Sequence, residues 1–571
     1  MKKYIIKNLK YIIILLLIII VCCLFISKKE GFHEDEMFSY GSSNFFYDNV
    51  FRSYGKADAP THFISNNILN KNFFYNLKYY LIDHRDEIDP TIKEIESHYR
   101  PIWKTREEAK DYLTVEGFDV YNYISVYYNQ ARDVHPPLFY FTVHAVSILF
   151  YSHFSKYIIF IINLTFFIAS LIVIKRIMQK IDKEHLALPT IILYGLSIGG
   201  ISTILFQRMY MMLTFFVLMF ILINCDIIKN DFEIDRRKWI ELGFVTILGF
   251  LTQYYFCIIA IIIAFCVFIG VCFKKDKKKA IEYILNYLKI ALIGIAIFPL
   301  CITHMFFSYR GVAYDSLEKY KEFSDKLIDY CKLLGNAFSI PFYCIGIILI
   351  IWLVRTIVKR KEATKTNIII LTWITATIGY ILAIAKTAPE LDEYTHLLRY
   401  IMPIIPVVSM IIIVTIASFI PNKKFAEILL SILAGMISIY GLINYSPFFM
   451  YKGYSRYLKI AEEYKENSFV YIGANDYNHL QSMLEFATYK ESLILTENDV
   501  DLLANDKKIQ ELDEFILSIK KYKNSDYILE QVTEKTDFKE YELLLDDDGE
   551  VACRIYKMKK VDVEDDIWIW I

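Results

Sequence analysis

The chain has 571 residues, of which 55% are hydrophobic, 16% aromatic and 22% charged, and its formal net charge is −1. A mean hydropathy of +0.33 is too apolar for an ordinary soluble protein of this length and is typical of a chain with several membrane spans. The balanced charge gives no indication of a nucleic-acid partner. Most of the ten cysteines lie in or beside apolar runs, which excludes a disulfide framework or a metal site of the CxxC type.

The first apolar run, 11–27, follows four lysines. A signal peptide has a similar pattern, but no small-x-small cleavage site follows "CCLFISKKE", which favours an uncleaved anchor. In either case the lysines stay in the cytoplasm, so we expect the residues after 28 to lie outside the cytoplasm.

The charge of the later loops indicates which runs cross the membrane. Alternate short loops are rich in lysine and arginine, namely 175–183, 229–238, 274–279, 355–365 and 423–424. The loops between them, such as "QRMY" and "TQYY", are poor in basic residues. If 137–152 crossed the membrane, every basic loop would lie outside, against the positive-inside rule. We therefore predict that 137–152 lies in the interface or re-enters.

This assignment predicts a multi-pass protein of the cell membrane with a cytoplasmic N-terminus and an extracytoplasmic C-terminal domain. The eleven predicted crossings are 11–27, 156–174, 187–206, 209–226, 239–254, 256–273, 286–307, 336–354, 367–385, 400–420 and 424–444.

Two long segments are expected on the outer side. Residues 28–136 form a first extracytoplasmic loop in which "MFSYGSSNFFYDNVF" and "FDVYNYISVYYNQ" indicate helices on the membrane surface. Residues 446–571 predict a small soluble α/β domain, with strands at "FVYIG", "SLILT" and "DYILE", a helix at "DKKIQELDEFILSIKKY" and a hairpin turning near Asp548-Gly549. The expected architecture is a helical membrane module at 1–445 followed by this domain.

Under this topology, unusual polar residues gather at the outer ends of the spans. They are Glu34, Asp35, Glu36, Asp133, His135, Arg208, Tyr210, Gln253, Tyr254, Tyr255, Glu390, Asp392, Glu393, His396, Arg399 and Tyr400. Each has a plain structural explanation. The acids can simply be solvated, and Asp133 can cap a helix that begins at the prolines. The arginines can extend to the lipid headgroups, and the tyrosines can belong to an interfacial aromatic belt. As a set they indicate more, because ionisable groups at membrane depth are costly and usually mark a pathway or a site.

Acids and arginines at one membrane face suit transfer from a lipid-phosphate-linked sugar. The phosphate gains negative charge as the glycosidic bond breaks, and Arg208 and Arg399 would stabilise it with charge-assisted hydrogen bonds. A carboxylate such as Asp35 would accept the proton of the attacking hydroxyl. Direct attack from the opposite face inverts the anomeric centre.

The motifs "HEDEMFSY" and, about 100 residues later, "RDVHPPLFY" resemble those of the GT-C fold glycosyltransferases that use polyprenyl-phosphate sugars. The similarity is to the bacterial branch related to the protein O-mannosyltransferases and the lipid A aminoarabinose transferase. "QRMY", "TQYY" and "RYIMPIIP" look like later signatures of that family in the expected order, and the resemblance covers roughly 10–445.

The resemblance implies that Asp35 is the catalytic base and that Glu36 shapes the site beside it. It also implies that Asp133 and His135 organise the acceptor or sugar pocket. The residues implied to hold the carrier phosphate are Arg208, Tyr210, Arg399 and Tyr400.

Two departures from the family pattern bear on these roles. Gln253 stands where relatives often have a histidine, and Glu34 adds a third acid beside the implied base. Such acids could also bind a divalent cation, because carboxylate oxygens are its usual ligands.

The function predicted is transfer of a sugar from undecaprenyl phosphate to a hydroxyl acceptor on a protein, a glycolipid or a wall polymer. A transporter or flippase of lipid-linked sugars is the alternative. Its sequence would be expected to have polar residues in the middle of the spans and two halves that are related to each other. A non-catalytic membrane scaffold is the third interpretation.

Overall fold

The computed structural model describes residues 2–46, 51, 103–131, 133–306, 320–358, 364–388, 394–473, 478–521 and 525–561. Residues 47–50, 52–102 and 132 of the predicted first loop, and the acids Glu390, Asp392 and Glu393, therefore lie outside the described residues.

Helices dominate the described residues. They are α1 Lys2–Lys28, α2 Glu34–Asn44, α3 Arg106–Leu113, α4 Tyr123–Ala131, α5 Leu138–Ser147, α6 Tyr157–Lys180, α7 Ala187–Gly195, α8 Ile198–Leu205, α9 Tyr210–Lys229, α10 Arg236–Thr252, α11 Tyr255–Phe273, α12 Lys277–Ile297, α13 Cys301–Phe306, α14 Tyr320–Ala337, α15 Phe342–Val358, α16 Lys365–Thr387, α17 Leu398–Ile401, α18 Ile405–Ala417, α19 Lys423–Asn444, α20 Tyr454–Glu463, α21 Met483–Phe486, α22 Val500–Ala504, α23 Lys507–Glu511 and α24 Ser525–Lys535. The strands are β1 Lys104–Thr105, β2 Ser468–Gly473, β3 Glu491–Thr496, β4 Glu514–Lys520, β5 Glu540–Asp546 and β6 Cys553–Lys559.

The chain divides into two compact units. The first, called the membrane unit here, consists of Met1–Ser27, Gln130–Val146 and Lys156–Phe449. The second, called the sheet unit, consists of Lys28–Asn129, Ser147–Ser155 and Met450–Ile571. The sheet unit thus combines residues of the first long loop with the C-terminal region.

Within the described residues, eight helices are long and apolar enough to cross a membrane, or up to ten if each of two bent pairs is one span. The bent pairs are Glu184–Gly195 with Ile198–Leu205, at 61°, and Phe323–Ala337 with Phe342–Thr356, at 93°. The protein is therefore a multi-pass membrane protein. The predicted crossing 239–254 corresponds to α10, whose 17 residues fall short of the about 20 that a span needs.

The run at 137–152 forms the ten-residue helix α5 and a short 3₁₀ turn, Ile148–Phe150. A ten-residue helix is about 15 Å long, half of the hydrocarbon thickness of a bilayer. Its length agrees with the prediction that this run does not cross.

Polar caps explain where several helices of the membrane unit begin. Asp235, Asp276 and Asn422 lie in or directly before basic loops, and the side chain of each accepts one or two hydrogen bonds from backbone N–H groups in the first turn of α10, α12 or α19. These donors have no partner inside the helix, so a short polar side chain fixes the first residue.

The spans Tyr210–Lys229 and Leu398–Ala417 are the most deeply buried of the candidate crossings. The first packs against α6, α10 and α11, and the second against α16. Arg208 precedes the first span by two residues, and Arg399 and Tyr400 stand in the first turn of the second. These three side chains therefore lie at the ends of the most deeply buried spans of the membrane unit.

The sheet unit contains a six-stranded sheet in the order β1-β3-β2-β4-β6-β5. β2 is parallel to β3 and β4, while β6 is antiparallel to β4 and β5. β1, from the first long loop, pairs antiparallel with β3. The first loop therefore supplies an edge strand to the C-terminal sheet.

The strand predictions at "FVYIG" and "SLILT" and the predicted hairpin are confirmed by β2, β3 and the β5–β6 pair. Two predictions are wrong. "DEFILSIK", predicted as helix, is largely β4, because a central strand buried on both faces has a continuous apolar sequence. "DYILE", predicted as a strand, lies in α24, where Ile528, Leu529 and Val532 share a buried face.

We expect Leu517→Ala, in the middle of β4, to destabilise the sheet by about 2–5 kcal/mol, since Leu517 is 0% exposed and its removal leaves a cavity. Hydrogen exchange of the β4 amides in the full chain measures this as faster exchange. Leu502→Ala is the matched control, because Leu502 is 43% exposed. Equal exchange rates in the two variants would contradict the assignment of the core.

Candidate active site

The acidic motif forms the first turn of α2. His33 is the N-cap: its Nδ1 accepts a hydrogen bond from the Asp35 backbone N–H at 3.0 Å. In return the Glu36 carboxylate accepts from the His33 backbone N–H at 2.7 Å. This reciprocal pattern is a capping box. The spacing His33-x-x-Glu36 therefore fixes where the helix starts and how its acids are arranged.

Glu36 is held in a buried ion pair. Its Oε2 lies 3.0 Å from Lys29 Nζ, and both side chains are 0% exposed. Burial lowers the pKa of Lys29, and the nearby Glu36 carboxylate counteracts that effect. Glu36 therefore acts here as a structural counter-ion and as part of the helix cap.

The three neighbouring acids have different surroundings. Glu34 Oε2 accepts a hydrogen bond from Asn478 Nδ2 at 3.3 Å. The Asp35 side chain is 29% exposed, and its Oδ2 lies 3.7 Å from His33 Nδ1. Of the three, Asp35 combines an accessible carboxylate with a neighbouring imidazole.

C-terminal residues hold the backbone before this motif. Glu30 Oε2 accepts hydrogen bonds from the Gly453 backbone N–H and the Ser455 hydroxyl, both at 2.8 Å. A Cβ added to Gly31 would lie 2.8 Å from Tyr454 Cβ, so only glycine fits there. The C-terminal region is thus part of the scaffold of the acidic motif.

In the membrane unit, Arg208 lies in the turn between α8 and α9 and is 2% exposed. The amide of Asn163, in α6, donates to the carbonyls of Ile204 at 3.1 Å and Phe206 at 3.0 Å. Gln207 donates to the carbonyl of Lys156 at 2.8 Å. These bonds connect the break between α8 and α9 to α6 and to the residue before it, and they fix the turn that carries the arginine.

Arg208 continues into a chain of polar side chains. Its Nη1 donates to Tyr140 Oη at 3.1 Å, and its Nη2 lies 3.4 Å from His135 Nε2. The other ring nitrogen, His135 Nδ1, lies 2.6 Å from Asp133 Oδ2. Because a guanidinium only donates, these contacts require Nε2 as acceptor and the proton on Nδ1. Asp133 therefore orients His135, and His135 orients Arg208.

The second arginine lies among aromatic rings. The Arg399 guanidinium carbon is 5.7 Å from the centre of the Phe206 ring and 5.8 Å from that of Tyr400. Tyr210 stacks on Phe206 at 5.8 Å and meets Tyr400 edge-on at 6.4 Å. Both arginines thus neighbour one turn, since Phe206 precedes Arg208 by two residues. Two such cations suit a phosphate, which guanidinium groups bind through paired hydrogen bonds.

The structure brings the predicted residues of the membrane unit together in two adjoining groups. One contains Asp133, His135 and Arg208, and the other contains Tyr210, Arg399 and Tyr400. The predicted catalytic pair, Asp35 and Glu36, lies in the sheet unit. Among the described residues, no group of three or more His, Cys, Asp or Glu side chains is arranged to hold a metal ion.

Sequence reasoning missed Lys29, Tyr140, Asn163 and Phe206. Asn163 had a usable signal, as an amide inside the apolar run "IINLTFF" needs a partner. Lys29 resembled an ordinary flanking lysine, and Tyr140 and Phe206 resembled ordinary apolar neighbours. Only the tertiary contacts identify these three.

No protein-family model matches the sequence, and no curated protein matches it. Among solved structures, the chain is similar to ArnT from Cupriavidus metallidurans bound to undecaprenyl phosphate, with 10% identity and a TM-score of 0.47 over 74% of this chain and 87% of that one. ArnT in the apo state gives 11% identity and a TM-score of 0.43 over the same shares, 74% and 87%.

The chain is also similar to the archaeal oligosaccharyltransferase AglB from Archaeoglobus fulgidus, in complex with an inhibitory peptide and a dolichol-phosphate. That match has 10% identity and a TM-score of 0.39 over 67% of this chain and 61% of that one. At these values none of the likenesses carries a functional conclusion for this chain.

We expect Glu36→Gln to destabilise the protein by about 3–5 kcal/mol, because it removes the buried counter-ion of Lys29 while a glutamine still completes the capping box. The double variant Lys29→Met/Glu36→Gln recovers most of the loss, since no buried charge remains. Thermal melting of the purified proteins measures both effects. Asp35→Asn is the control and leaves the melting temperature unchanged; a double variant no more stable than Glu36→Gln alone would refute the ion-pair account.

Proposed function

We propose that the protein is a glycosyltransferase that moves a sugar from a polyprenyl phosphate carrier to a hydroxyl acceptor. The observation that supports this best is the arrangement of Arg208, a nearly fully buried cation oriented by Tyr140 and His135. Burying a charge costs free energy, and a bound anion offsets that cost. A lipid-linked phosphate is such an anion, and it reaches a site inside the membrane unit through the bilayer.

In the proposed reaction, the acceptor oxygen attacks the anomeric carbon as the bond from that carbon to the phosphate oxygen breaks. The hydroxyl proton passes to the Asp35 carboxylate, which acts as general base. The leaving phosphate takes the bonding electron pair, and Arg208 and Arg399 stabilise the resulting charge. The products are the new glycoside and the polyprenyl phosphate, and the configuration at the anomeric carbon is inverted.

The remaining site residues have supporting roles in this proposal. Asp133 and His135 set the orientation of Arg208 and border the sugar or acceptor. Tyr210 and Tyr400 flank the carrier phosphate together with Arg399. Glu36 acts on Asp35 indirectly, through the start of the helix that carries both.

We place the reaction on the outer face of the cytoplasmic membrane. The basic loops between spans indicate a cytoplasmic N-terminus and an extracytoplasmic sheet unit. A lipid-linked donor fits that location, because nucleotide-activated sugars are made inside the cell and the carrier delivers the sugar across the bilayer.

The variant Asp35→Asn tests the proposed base. Purified protein in liposomes is given undecaprenyl-phosphoryl hexoses together with membranes of the native host as acceptor, and the release of undecaprenyl phosphate is measured. We expect a loss of about 10²–10⁴-fold in kcat for Asp35→Asn, with a melting temperature like that of the wild type.

Glu34→Gln is the matched control. Its carboxylate is engaged by Asn478, so we expect activity within a few-fold of the wild type. A fully active Asp35→Asn variant, or an inactive Glu34→Gln variant beside it, would refute the assignment of the base.

A further inference from the structure

His304 is a buried histidine with no role in the site described above. It lies in the short helix α13 and is 5% exposed. Its ring centre is 5.5 Å from that of Phe298 and 6.1 Å from that of Tyr254. A polar ring in such surroundings requires hydrogen-bond partners.

Both ring nitrogens of His304 make a hydrogen bond. Nε2 lies 3.1 Å from the carbonyl oxygen of Ala131, and Nδ1 lies 2.9 Å from Tyr254 Oη. A carbonyl oxygen only accepts, so the proton is on Nε2 and the Tyr254 hydroxyl donates to Nδ1. Tyr254 thereby fixes the tautomer that binds Ala131.

Ala131 is the last residue of α4, where backbone carbonyls have no partner inside the helix. The Asp133 backbone N–H donates to the carbonyl of Gln130, the residue before Ala131, at 3.1 Å. Asp133 binds His135, and His135 contacts Arg208. The bond from His304 therefore holds the chain at the start of the turn that orients the arginine.

We propose that His304, with Tyr254 behind it, is a positioning residue that fixes the Asp133–His135 turn and so the guanidinium of Arg208. This inference rests on the proposed function, since it assigns these residues an effect on the binding of a carrier phosphate. It also explains the tyrosine of the "TQYY" motif, because the Tyr254 hydroxyl supports the histidine.

The experiment measures the affinity of purified full-length protein for undecaprenyl phosphate, in a series of variants. Tyr254→Phe removes only the hydroxyl that holds His304, and His304→Phe removes both hydrogen bonds. We expect Tyr254→Phe to weaken binding roughly three- to tenfold, His304→Phe to weaken it at least as much, and the double variant to be no worse than His304→Phe alone.

Tyr283→Phe is the control, because the Tyr283 hydroxyl donates to the Ala264 carbonyl at 3.0 Å within the same unit and outside the site. We expect it to bind the carrier like the wild type. A similar loss in Tyr283→Phe would show that any lost buried hydroxyl weakens binding, and would overturn the inference.

The background variant Asp133→Asn separates positioning from general stability. Since the effect of His304 passes through Asp133, Tyr254→Phe should weaken binding little further once Asp133 is replaced. Two outcomes would overturn the inference and leave the proposed function standing. The first is full additivity of Tyr254→Phe and Asp133→Asn. The second is wild-type binding by Tyr254→Phe and His304→Phe, while Asp133→Asn and Arg208→Gln bind the carrier poorly. Wild-type binding by Arg208→Gln would instead refute the proposed function.

Discussion

The membrane unit is organised around one constraint: the guanidinium of Arg208 is buried among apolar helices and cannot lose its charge. Its neighbours are arranged to hold it in one orientation. Tyr140 and His135 meet its terminal nitrogens, and Asp133 fixes the imidazole from the other side. Asn163 fixes the turn on which it stands. A cation held so firmly before a ligand arrives costs little reorganisation when an anion binds, which is the general basis of electrostatic preorganisation.

A second constraint acts in the sheet unit, where Lys29 is buried directly after the first span. Glu36 neutralises it and also caps α2, so two of the three acidic side chains of the motif are committed to structure or to Asn478. The Asp35 side chain is 29% exposed and lies beside the imidazole of His33. Because Gly453, Tyr454 and Ser455 hold the backbone before the motif, the acidic helix and the C-terminal sheet form one folded unit.

Much of the architecture could be predicted from hydropathy and charge. The spans are long apolar runs, and the run at 137–152, which the loop charges predict not to cross, forms only a short apolar helix. The C-terminal sheet was harder to predict, because the apolar run "FILSI" is compatible with a buried strand and with a buried helix. Only its pairing with β2 and β6 shows that it is a strand. The pairing of Lys104–Thr105 with β3 joins residues almost 400 positions apart, and no local pattern indicates it.

The candidate site shows the same division. Motif residues such as Asp133, His135 and Arg208 stood out because charged groups are rare at such positions. Most of the supporting residues did not, because Tyr140 and His304 are ordinary in type and are brought to the site only by tertiary packing. The role of Glu36 was likewise hidden, since its counter-ion Lys29 looked like a flanking lysine of the first span.

A structure determined with undecaprenyl phosphate bound tests the central claim most directly, because it locates the phosphate among the side chains. We expect phosphate oxygens within hydrogen-bonding distance, about 2.7–3.1 Å, of the guanidinium groups of Arg208 and Arg399. A phosphate bound elsewhere in the protein, with Arg208 still contacting only Tyr140 and His135, would contradict it.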